Sequence, residues 1–366
     1  MSNSTSFAVG MDISDREMSS CVLNESGVVH HERTVSLDRP VLQLYLSSLK
    51  EHNPIFALET GTHANWIYDL LLSLGFTRVI VADARSLKMI FKSNNKTDRQ
   101  DARKLARFAQ SCPELLHSVK PRSERSRQDR RLLSARHVCV KARTKFVSYV
   151  RGIVKSTGVR LASCDADRFP DFADSLPESL SPILVPVLDA IRQVTTSIQQ
   201  LDELIERRCE GDAVIARLTQ IKSVGPITAL AFTATIENPV RFSKNRNVAS
   251  FLGLRPRIDE SGEMNKQLGI TKAGDDYTRQ LLVMSAQGLM RRNSQATDLK
   301  HWGLSIAQTG GKRGKRRAAV AVARKLAVLL LTLWKTGEDY VPLRSPSTKN
   351  VRKTRTTSLT NIKKAA

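Results

Sequence analysis

The first 82 residues carry the pattern that most restricts the fold: short apolar runs separated first by turn residues and then by segments of helical spacing. The turn Asn24-Glu25-Ser26-Gly27 joins two of these runs as a hairpin. Strands are predicted at residues 7–12, 21–23, 28–31, 54–58 and 79–82, and helices at residues 38–50 and 65–74. A hairpin followed by strands that alternate with helices predicts an α+β domain with a mixed sheet of the ribonuclease H type.

A long basic segment follows this domain. Residues 122–157 contain no proline and place apolar residues near helical spacing, which predicts one long helix. After a connector at residues 165–182, apolar residues recur in steps of four and three from Val187 to Ile205. This heptad seam fits a helical hairpin or a coiled coil, and it fits equally a helix packed inside one bundle. A partner helix from a second subunit would make the seam an oligomer contact.

The last part of the chain predicts a mainly helical unit that begins near Asp212. Two helices joined by the tight turn Ser223-Val224-Gly225-Pro226 form a helix-hairpin-helix-like arrangement, and an apolar helix is predicted over 281–289. Four segments are therefore predicted. They are the sheet domain at residues 1–120, the basic helix and coiled-coil segment at 121–211, the helical domain at 212–344, and a basic tail at 345–366 that is disordered until it meets a partner.

The positive charge is concentrated in two segments. The chain has 58 Lys and Arg against 35 Asp and Glu, a net charge of +23. Residues 121–160 carry twelve basic and two acidic residues, and residues 311–366 carry fifteen and two. Because the remainder balances to zero, these segments predict contacts to a polyanion, with nucleic acid as the leading partner.

Cysteine usage and hydropathy indicate the compartment. Five scattered cysteines have no metal-ligand spacing, which predicts free thiols in a reducing environment. The chain opens without a signal-peptide pattern, and its longest apolar run, residues 326–334, is too short to cross a bilayer. We expect a cytoplasmic protein without a membrane partner.

Four carboxylates lie where a metal site could form. Asp12 ends the first predicted strand and Glu59 the fourth, while Asp98 and Asp101 share one face at the start of a helical pattern. Oxygen ligands of this kind suit Mg²⁺ or Mn²⁺, which can activate the attacking oxygen and stabilise the leaving oxygen of a phosphodiester. The residues alone also permit a structural interpretation, with Asp98 as a helix cap and the other two as strand terminators.

Ser261 lies in the polar stretch Asp259-Glu260-Ser261-Gly262, ahead of Lys266 and Lys272. A hydroxyl in such a loop can approach a phosphate. No neighbouring residue activates it, however, and Ser-Gly pairs in loops are usually turns. The residues alone leave a nucleophile and an ordinary turn both open.

Several motifs, taken in order, resemble a known family. They are VGMDIS at residues 9–14, LETGT at 58–62, NKTDRQDA at 95–102, FLGLRP at 251–256 and DESG at 259–262. Together they are similar to the DEDD-type transposases of bacterial insertion sequences, the IS-one-ten group. The resemblance covers roughly residues 7–340, and its specificity rests on the ordered set.

The resemblance implies a RuvC-like first domain in which Asp12, Glu59, Asp98 and Asp101 are the catalytic, metal-binding tetrad for Mg²⁺ or Mn²⁺. It implies that Ser261 is the nucleophile, joined covalently to a DNA phosphate during strand exchange. It further implies a recombinase of double-stranded donor and target DNA that is guided by a structured non-coding RNA, the bridge RNA. Such proteins act as homo-oligomers, dimers or tetramers, in the bacterial cytoplasm and in association with the nucleoid.

Two positions depart from the family pattern. His63 stands where members often have Tyr, and Asp15 where they often have Lys. Neither departure removes a tetrad residue, although Asp15 changes the local charge balance. Two rival hypotheses remain: a metal-only nuclease such as a junction resolvase, and a non-catalytic protein that binds RNA or DNA.

Overall fold

The computed structural model describes residues 6–84, 97–261, 264–309 and 311–343. The chain divides into two units, Met1–Ser123 and Glu124–Ala366. The first contains a five-stranded mixed sheet and the second is mainly helical, which confirms the predicted order of an α/β domain followed by a helical region. A finer division at residue 211 stays a prediction, and the predicted tail lies outside the described residues.

The sheet of the first unit contains five strands in the order β3-β2-β1-β4-β5. Their bounds are β1 (Ala8–Ile13), β2 (Glu17–Leu23), β3 (Val29–Ser36), β4 (Ile55–Glu59) and β5 (Val79–Ala82). Strand β2 pairs antiparallel with both β1 and β3, whereas β4 pairs parallel with both β1 and β5. Asn24 forms the predicted turn, since its Oδ1 accepts from the backbone N–H groups of Ser26 at 3.0 Å and Val28 at 2.9 Å.

Helices cover both faces of this sheet. They are α1 (Arg39–Ser47), α2 (Ala64–Ser73) and α3 (Asp98–Ser111). Val9 and Met11 of β1 share a core with α1 and α2, whereas Ala57 of β4 packs with Leu105 of α3. Because side chains alternate along a strand, the residue between Val9 and Met11 and the residue after Met11 face α3.

The second unit begins with a 33-residue helix, as predicted. Its elements are α4 (Glu124–Ser156), α5 (Ser181–Cys209), α6 (Ala213–Leu218), α7 (Pro226–Ile236), α8 (Asn247–Phe251), β6 (Pro256–Ser261), β7 (Met264–Ile270), α9 (Asp276–Leu289), α10 (Asp298–Thr309) and α11 (Gly314–Thr336). Gly225 precedes α7 as its N-cap, and the following proline begins the helix. Residues 219–225 join α6 to α7, and the helix-hairpin-helix-like arrangement predicted here stays a prediction.

The heptad seam lies on α5 and is covered by the chain itself. Ile191, Ile198 and Ile205 are at most 4% exposed. Ile191 shares a core with Val150 of α4, and Ile205 shares the main core of the unit with Leu133 of α4. The contacts therefore favour a helical hairpin within one chain over a seam that waits for a second subunit.

Two further predictions concern the compartment. Among the described residues, no helix combines the length and apolar composition needed to cross a bilayer. All five cysteines are free thiols. Burial raises the pKa of Cys21 to about 12 and that of Cys209 to about 11, so neither forms a thiolate readily near neutral pH.

Candidate active site

Asp12 and Glu59 lie at the ends of neighbouring parallel strands. In the register of β1 and β4, Met11 pairs with Leu58, so Asp12 and Glu59 are the next residues on each strand. Alternation along the strands directs Asp12 to the face of Gly10 and Glu59 to the face of Ala57, which is the face that α3 covers. The fold thus brings these two predicted site residues together.

Helix α3 crosses this face antiparallel to β1. A Cβ placed on Gly10 would lie 2.0 Å from the carbonyl oxygen of Ala102, so the helix rests directly on the strand backbone. At the far end of the helix, the Gln110 Nε2 donates to the carbonyl of Ser6 at 3.0 Å, just before β1 begins. The first turn of α3 therefore lies toward the end of β1 that carries Asp12.

That first turn carries the other two predicted site residues. Thr97 is the N-cap of α3, because its Oγ1 accepts from the Gln100 N–H at 3.3 Å. The interpretation of Asp98 as the helix cap is therefore wrong, and Asp98 is exposed in the first turn. Asp101 is 7% exposed and accepts from the Lys104 Nζ at 3.0 Å. One tetrad residue thus has a cation beside it on the same helix.

A cavity of about 470 Å³ lies at these strand ends. The residues that line it are Asp12, Ile13, Ser14, Asp15, Glu59, Thr60, Gly61, Thr62, His63 and Ala64. His63, one of the two departures from the family pattern, accepts from the Trp66 Nε1 at 3.0 Å through its Nδ1. Asp15, the other departure, adds a third carboxylate to the lining, and the described lining contains no Lys or Arg.

The chemistry of this lining suits a hard divalent cation. Carboxylate oxygens are the ligands that Mg²⁺ and Mn²⁺ prefer, and a cavity whose described lining holds three carboxylates favours a positive ion. Within the described ranges, however, no three His, Cys, Asp or Glu side chains converge closely enough to hold a metal ion. Asp12 and Glu59 would hold the ion first, and the full tetrad stays a prediction.

Ser261 is the last residue of β6, in an antiparallel hairpin with β7. In that register Ser261 pairs with Met264, and Asp259 pairs with Lys266. The sequence predicts a loop here, so the hairpin is a structural feature that the prediction missed. Gly262 and the side chain of Ser261 lie outside the described part of the structure, and the role of Ser261 stays a prediction.

The base of this hairpin is fixed by close backbone contacts. Gly253 and Gly274 have φ angles of +68° and +73°, and a Cβ on either would lie 2.2 Å from a carbonyl oxygen, that of Ala273 or Phe251 respectively. The Arg279 Nη1 donates to the carbonyls of Leu252 at 3.1 Å and Ala273 at 2.8 Å. One guanidinium therefore ties both ends of the hairpin to α9. At about 3.4 Å per residue, Ser261 lies about 17 Å along the strand from Pro256.

Comparison with known proteins identifies the family. A model described as a DEDD transposase of the IS110 type matches residues 9–158, and one described as "Transposase IS116/IS110/IS902 family" matches residues 215–301. The first match contains the four carboxylates and the second contains Ser261. The chain belongs to the IS110/IS116 transposase family.

Relatives of this transposase resemble it over most of their length. The transposase for insertion sequence element IS1111A of Coxiella burnetii is 28% identical over 91% of this chain and 90% of its own. A probable family 20 transposase of Pseudomonas aeruginosa is 27% identical over 91% of this chain and 98% of its own. DNA is therefore the substrate class, and DEDD, RuvC-like transposases typically use a divalent metal.

Many basic residues of α4 serve the fold of this transposase. Arg130 pairs with Asp275 at 2.7 Å, and Arg136 pairs with Asp202 of α5. Arg125, Arg127 and Arg131 also pair with carboxylates, and Arg151 donates to the carbonyl of Leu161 at 3.0 Å. Fewer cations of α4 are therefore left for the polyanion contacts that the charge of this segment predicts.

The remaining exposed cations form smaller groups. Lys141, Lys145, Lys155 and Arg160 are exposed and have no carboxylate partner among the described residues. Around the start of α11, Arg313, Lys315, Arg316 and Arg317 are likewise exposed. Lys325 lies 3.6 Å from the centre of the Trp302 ring, which orients its charge at the surface. These groups keep the capacity to contact phosphates.

Proposed function

We propose that this transposase cuts and rejoins DNA through a covalent link to Ser261, assisted by a divalent metal and guided by a structured RNA. The observation that carries the proposal is the position of Asp12 and Glu59 at adjacent strand ends, in one acid-lined cavity. The family match to a DEDD transposase supports the same assignment.

The metal-binding tetrad in this proposal is Asp12, Glu59, Asp98 and Asp101. The register of β1 and β4 and the direction of α3 support this assignment. A bound Mg²⁺ or Mn²⁺ would supply positive charge that lowers the pKa of an attacking hydroxyl and offsets charge on the phosphate. The four carboxylates hold and orient that charge, and Lys104 beside Asp101 limits the negative charge they accumulate.

Ser261 supplies the attacking oxygen. Its Oγ forms a bond to a DNA phosphorus while one ester oxygen of the strand leaves, and the serine proton passes to that leaving oxygen through a base or water. In the reverse direction a DNA hydroxyl attacks the phosphoserine, restores the serine and rejoins a strand. Because one phosphodiester is exchanged for another, no ATP is needed. The fixed base of the hairpin supports this assignment, because it restrains the strand that ends at Ser261.

The partners in this proposal are donor DNA, target DNA and a bridge RNA. The exposed cations of α4 and α11 contact phosphates without distinguishing sequence, and RNA pairing supplies the sequence specificity. The active form is a homo-oligomer in which the tetrad of one subunit acts with the serine of another. The serine of one subunit therefore depends on the tetrad of another, because the sequence provides no base beside Ser261.

Trapping the covalent intermediate tests the serine step. The full chain is incubated with a nicked DNA substrate, Mg²⁺ and the non-coding RNA encoded beside its gene, and is then denatured. We expect a protein-DNA adduct that peptide mass spectrometry places on Ser261. Ser261→Ala should lose the adduct and keep DNA binding. DNA cleavage by the wild type without any adduct would favour the metal-only nuclease instead.

Substitution of the carboxylates tests the metal site separately. Glu59→Gln and Asp101→Asn should abolish recombination, while Asp38→Asn, an exposed acid before α1, should leave it intact. RNA binding, which depends on Lys and Arg, should persist in all three variants. Full recombination by Asp101→Asn would remove Asp101 from the tetrad. Recombination that proceeds unchanged without RNA would refute RNA guidance, but it would leave the assignment of the metal site unaffected.

A further inference from the structure

A second cavity of about 380 Å³ lies in the helical unit, away from the hairpin that carries Ser261. It is bounded by the turn before α7, the end of α9 with the loop that follows, and the segment after α11. Six polar residues of its lining carry the argument: Lys222, Ser223, Arg291, Asn293, Gln295 and Tyr340. Neither the metal site nor the serine uses this cavity.

The charge of the cavity favours an anionic ligand. Lys222 and Arg291 are both exposed and have no carboxylate partner among the described residues. The described residues of the lining include no Asp or Glu. Two cations without partners at the edge of one cavity suit a phosphate group.

Ser223 adds an unsatisfied hydroxyl. Its Oγ is buried and has no hydrogen-bond partner within the part of the chain that the structure describes. The close approach of α9 explains this burial, because a Cβ on Gly288 would lie 3.3 Å from the Ser223 Cβ. Buried hydroxyls are normally paired. Ser223 lines the cavity, where a ligand oxygen or ring nitrogen can satisfy its hydroxyl.

The other polar groups suit a nucleobase. Asn293 and Gln295 each offer a donor and an acceptor, the complement of a base edge. Tyr340 supplies an aromatic ring, and its backbone N–H donates to the Gln220 Oε1 at 2.7 Å, which fixes its backbone. The apolar floor is formed by Ile221 and Leu289. Phosphate, base edge and ring together describe one nucleotide, and the cavity volume falls within the usual range for small-ligand sites.

We infer that this cavity binds one unstacked nucleotide of a single-stranded segment, with its phosphate on Lys222 and Arg291 and its base against Tyr340. The inference rests on the proposed nucleic-acid binding but not on the metal or the serine. It assigns the helical unit a site that holds a looped-out or displaced nucleotide during strand exchange.

The test compares a short deoxyadenosine strand with an abasic strand of equal length, using fluorescence anisotropy on the full chain. The wild type should prefer the base-bearing strand about tenfold, as expected for one stacked base. Tyr340→Leu should abolish this preference. Ser223→Ala should reduce it without lowering the thermal midpoint, because it removes a hydroxyl that has no partner.

Charge variants separate the pocket from general phosphate contacts. Lys222→Gln with Arg291→Gln should lower the slope of log affinity against log salt by about 1.4, or about 0.7 for each single-strand contact, and reduce the base preference. Lys155→Gln with Arg160→Gln, a matched pair on α4 and just beyond it, should weaken both strands equally. The same experiment with RNA strands shows which nucleic acid the site prefers.

Three outcomes would overturn the inference. One is an unchanged base preference in both Tyr340→Leu and the Lys222 and Arg291 double variant, with nucleic-acid binding intact. Another is binding of free adenosine monophosphate as tightly as the strand, which would make the site a mononucleotide pocket. A wild type that binds no strand at all would also refute the nucleic-acid binding in the proposed function. This outcome therefore differs from a failure of the nucleotide site alone, in which strands still bind.

Discussion

Gly10 and Ala102 are in backbone contact across the first unit: a Cβ on Gly10 would lie 2.0 Å from the Ala102 carbonyl oxygen and 2.4 Å from the amide nitrogen of Ala106. This contact sets the distance between α3 and β1. Asp101 precedes Ala102, and Asp12 lies two residues beyond Gly10 on the same face. A residue without a side chain therefore controls how closely the two halves of the proposed carboxylate site approach.

Replacing Gly10 by Ala should push α3 away from the sheet. We expect a loss of about 1–3 kcal/mol in the free energy of unfolding, because neither backbone can move aside as a side chain could. Gly61→Ala is the matched control, since a Cβ there meets nothing within 4 Å and its φ is not left-handed. Urea unfolding followed by circular dichroism measures both. Equal midpoints for the two variants would contradict a tight α3–β1 contact.

The sequence predicted the first unit well because its elements bury apolar faces. All five strands and helices α1 and α2 follow the predicted positions within a few residues, and α4 occupies nearly all of the predicted helix. Periodicity reports burial, and these elements bury one face, except β3, in which Val35 alone is buried. The same logic drew attention to Asp12 and Glu59, because both lie at the ends of apolar strands.

The hairpin of β6 and β7 could not be predicted in this way. Its first strand, Pro256–Ser261, has one apolar side chain after the proline, so no alternation marks it. Backbone contacts at Gly253 and Gly274 fix its base instead, and backbone contacts leave little trace in side-chain patterns. The heptad seam is a different case: its spacing indicates that another helix packs there, but it does not indicate whether that helix belongs to the same chain.

The seam residues should contribute to folding rather than to assembly. Ile191→Asp with Ile198→Asp places two carboxylates in positions at most 4% exposed, so each should cost several kcal/mol, well above the transfer term of about 1.5–3 kcal/mol. Leu204→Asp, on the same helix but 44% exposed, is the control. Thermal unfolding should separate them clearly. A double variant that melts like the control but loses oligomer mass would restore the intermolecular seam.

Basic residues of α4 should divide into two functional groups. Arg136→Gln should lower stability by about 1 kcal/mol, a modest value because the Arg136–Asp202 pair is 20% and 34% exposed, and should leave the salt dependence of DNA affinity unchanged. Lys145→Gln with Lys155→Gln should do the opposite, lowering the salt slope by about 0.9 per duplex contact. Unfolding curves measure the stability of each variant, and salt titrations of the same samples measure the salt dependence of its DNA affinity. Identical behaviour of the two groups would refute the division.

Asp275 should make the helical unit sensitive to acid. Burial acts to raise the pKa of Asp275, but the Thr278 N–H and the Arg130 guanidinium, each at 2.7 Å, outweigh it, and the pKa lies below its usual value. The unfolded chain therefore binds this proton more tightly, so the interaction stabilises above about pH 4 and is lost as pH falls through the lower, folded-state pKa.

Asp275→Asn tests this because it keeps a capping side chain and removes the charge. At neutral pH the variant should be less stable than the wild type by about 1–2 kcal/mol, since the pair is partly buried. Urea midpoints measured at successively lower pH should converge as the wild-type carboxylate takes up its proton. A gap that stays constant down to about pH 2 would show that the ion pair does not contribute.

Mn²⁺ should stabilise the first unit through Asp12 and Glu59 even when no DNA is present. A ligand at about a hundredfold excess over its Kd adds about 2.7 kcal/mol to the free energy of unfolding, which raises the thermal midpoint measurably. Glu59→Gln preserves the size of the side chain and removes one charged ligand, so it should lose most of this shift. Asp38→Asn, exposed before α1, should keep it.

Asp98→Asn and Asp101→Asn then show whether the first turn of α3 completes the site. Loss of the shift in both variants would join all four carboxylates around the ion, whereas an unchanged shift would confine the site to the two strand ends. A wild type whose midpoint does not respond to Mn²⁺ at any concentration, while Ca²⁺ and Mg²⁺ are equally without effect, would refute a metal site formed by the protein alone.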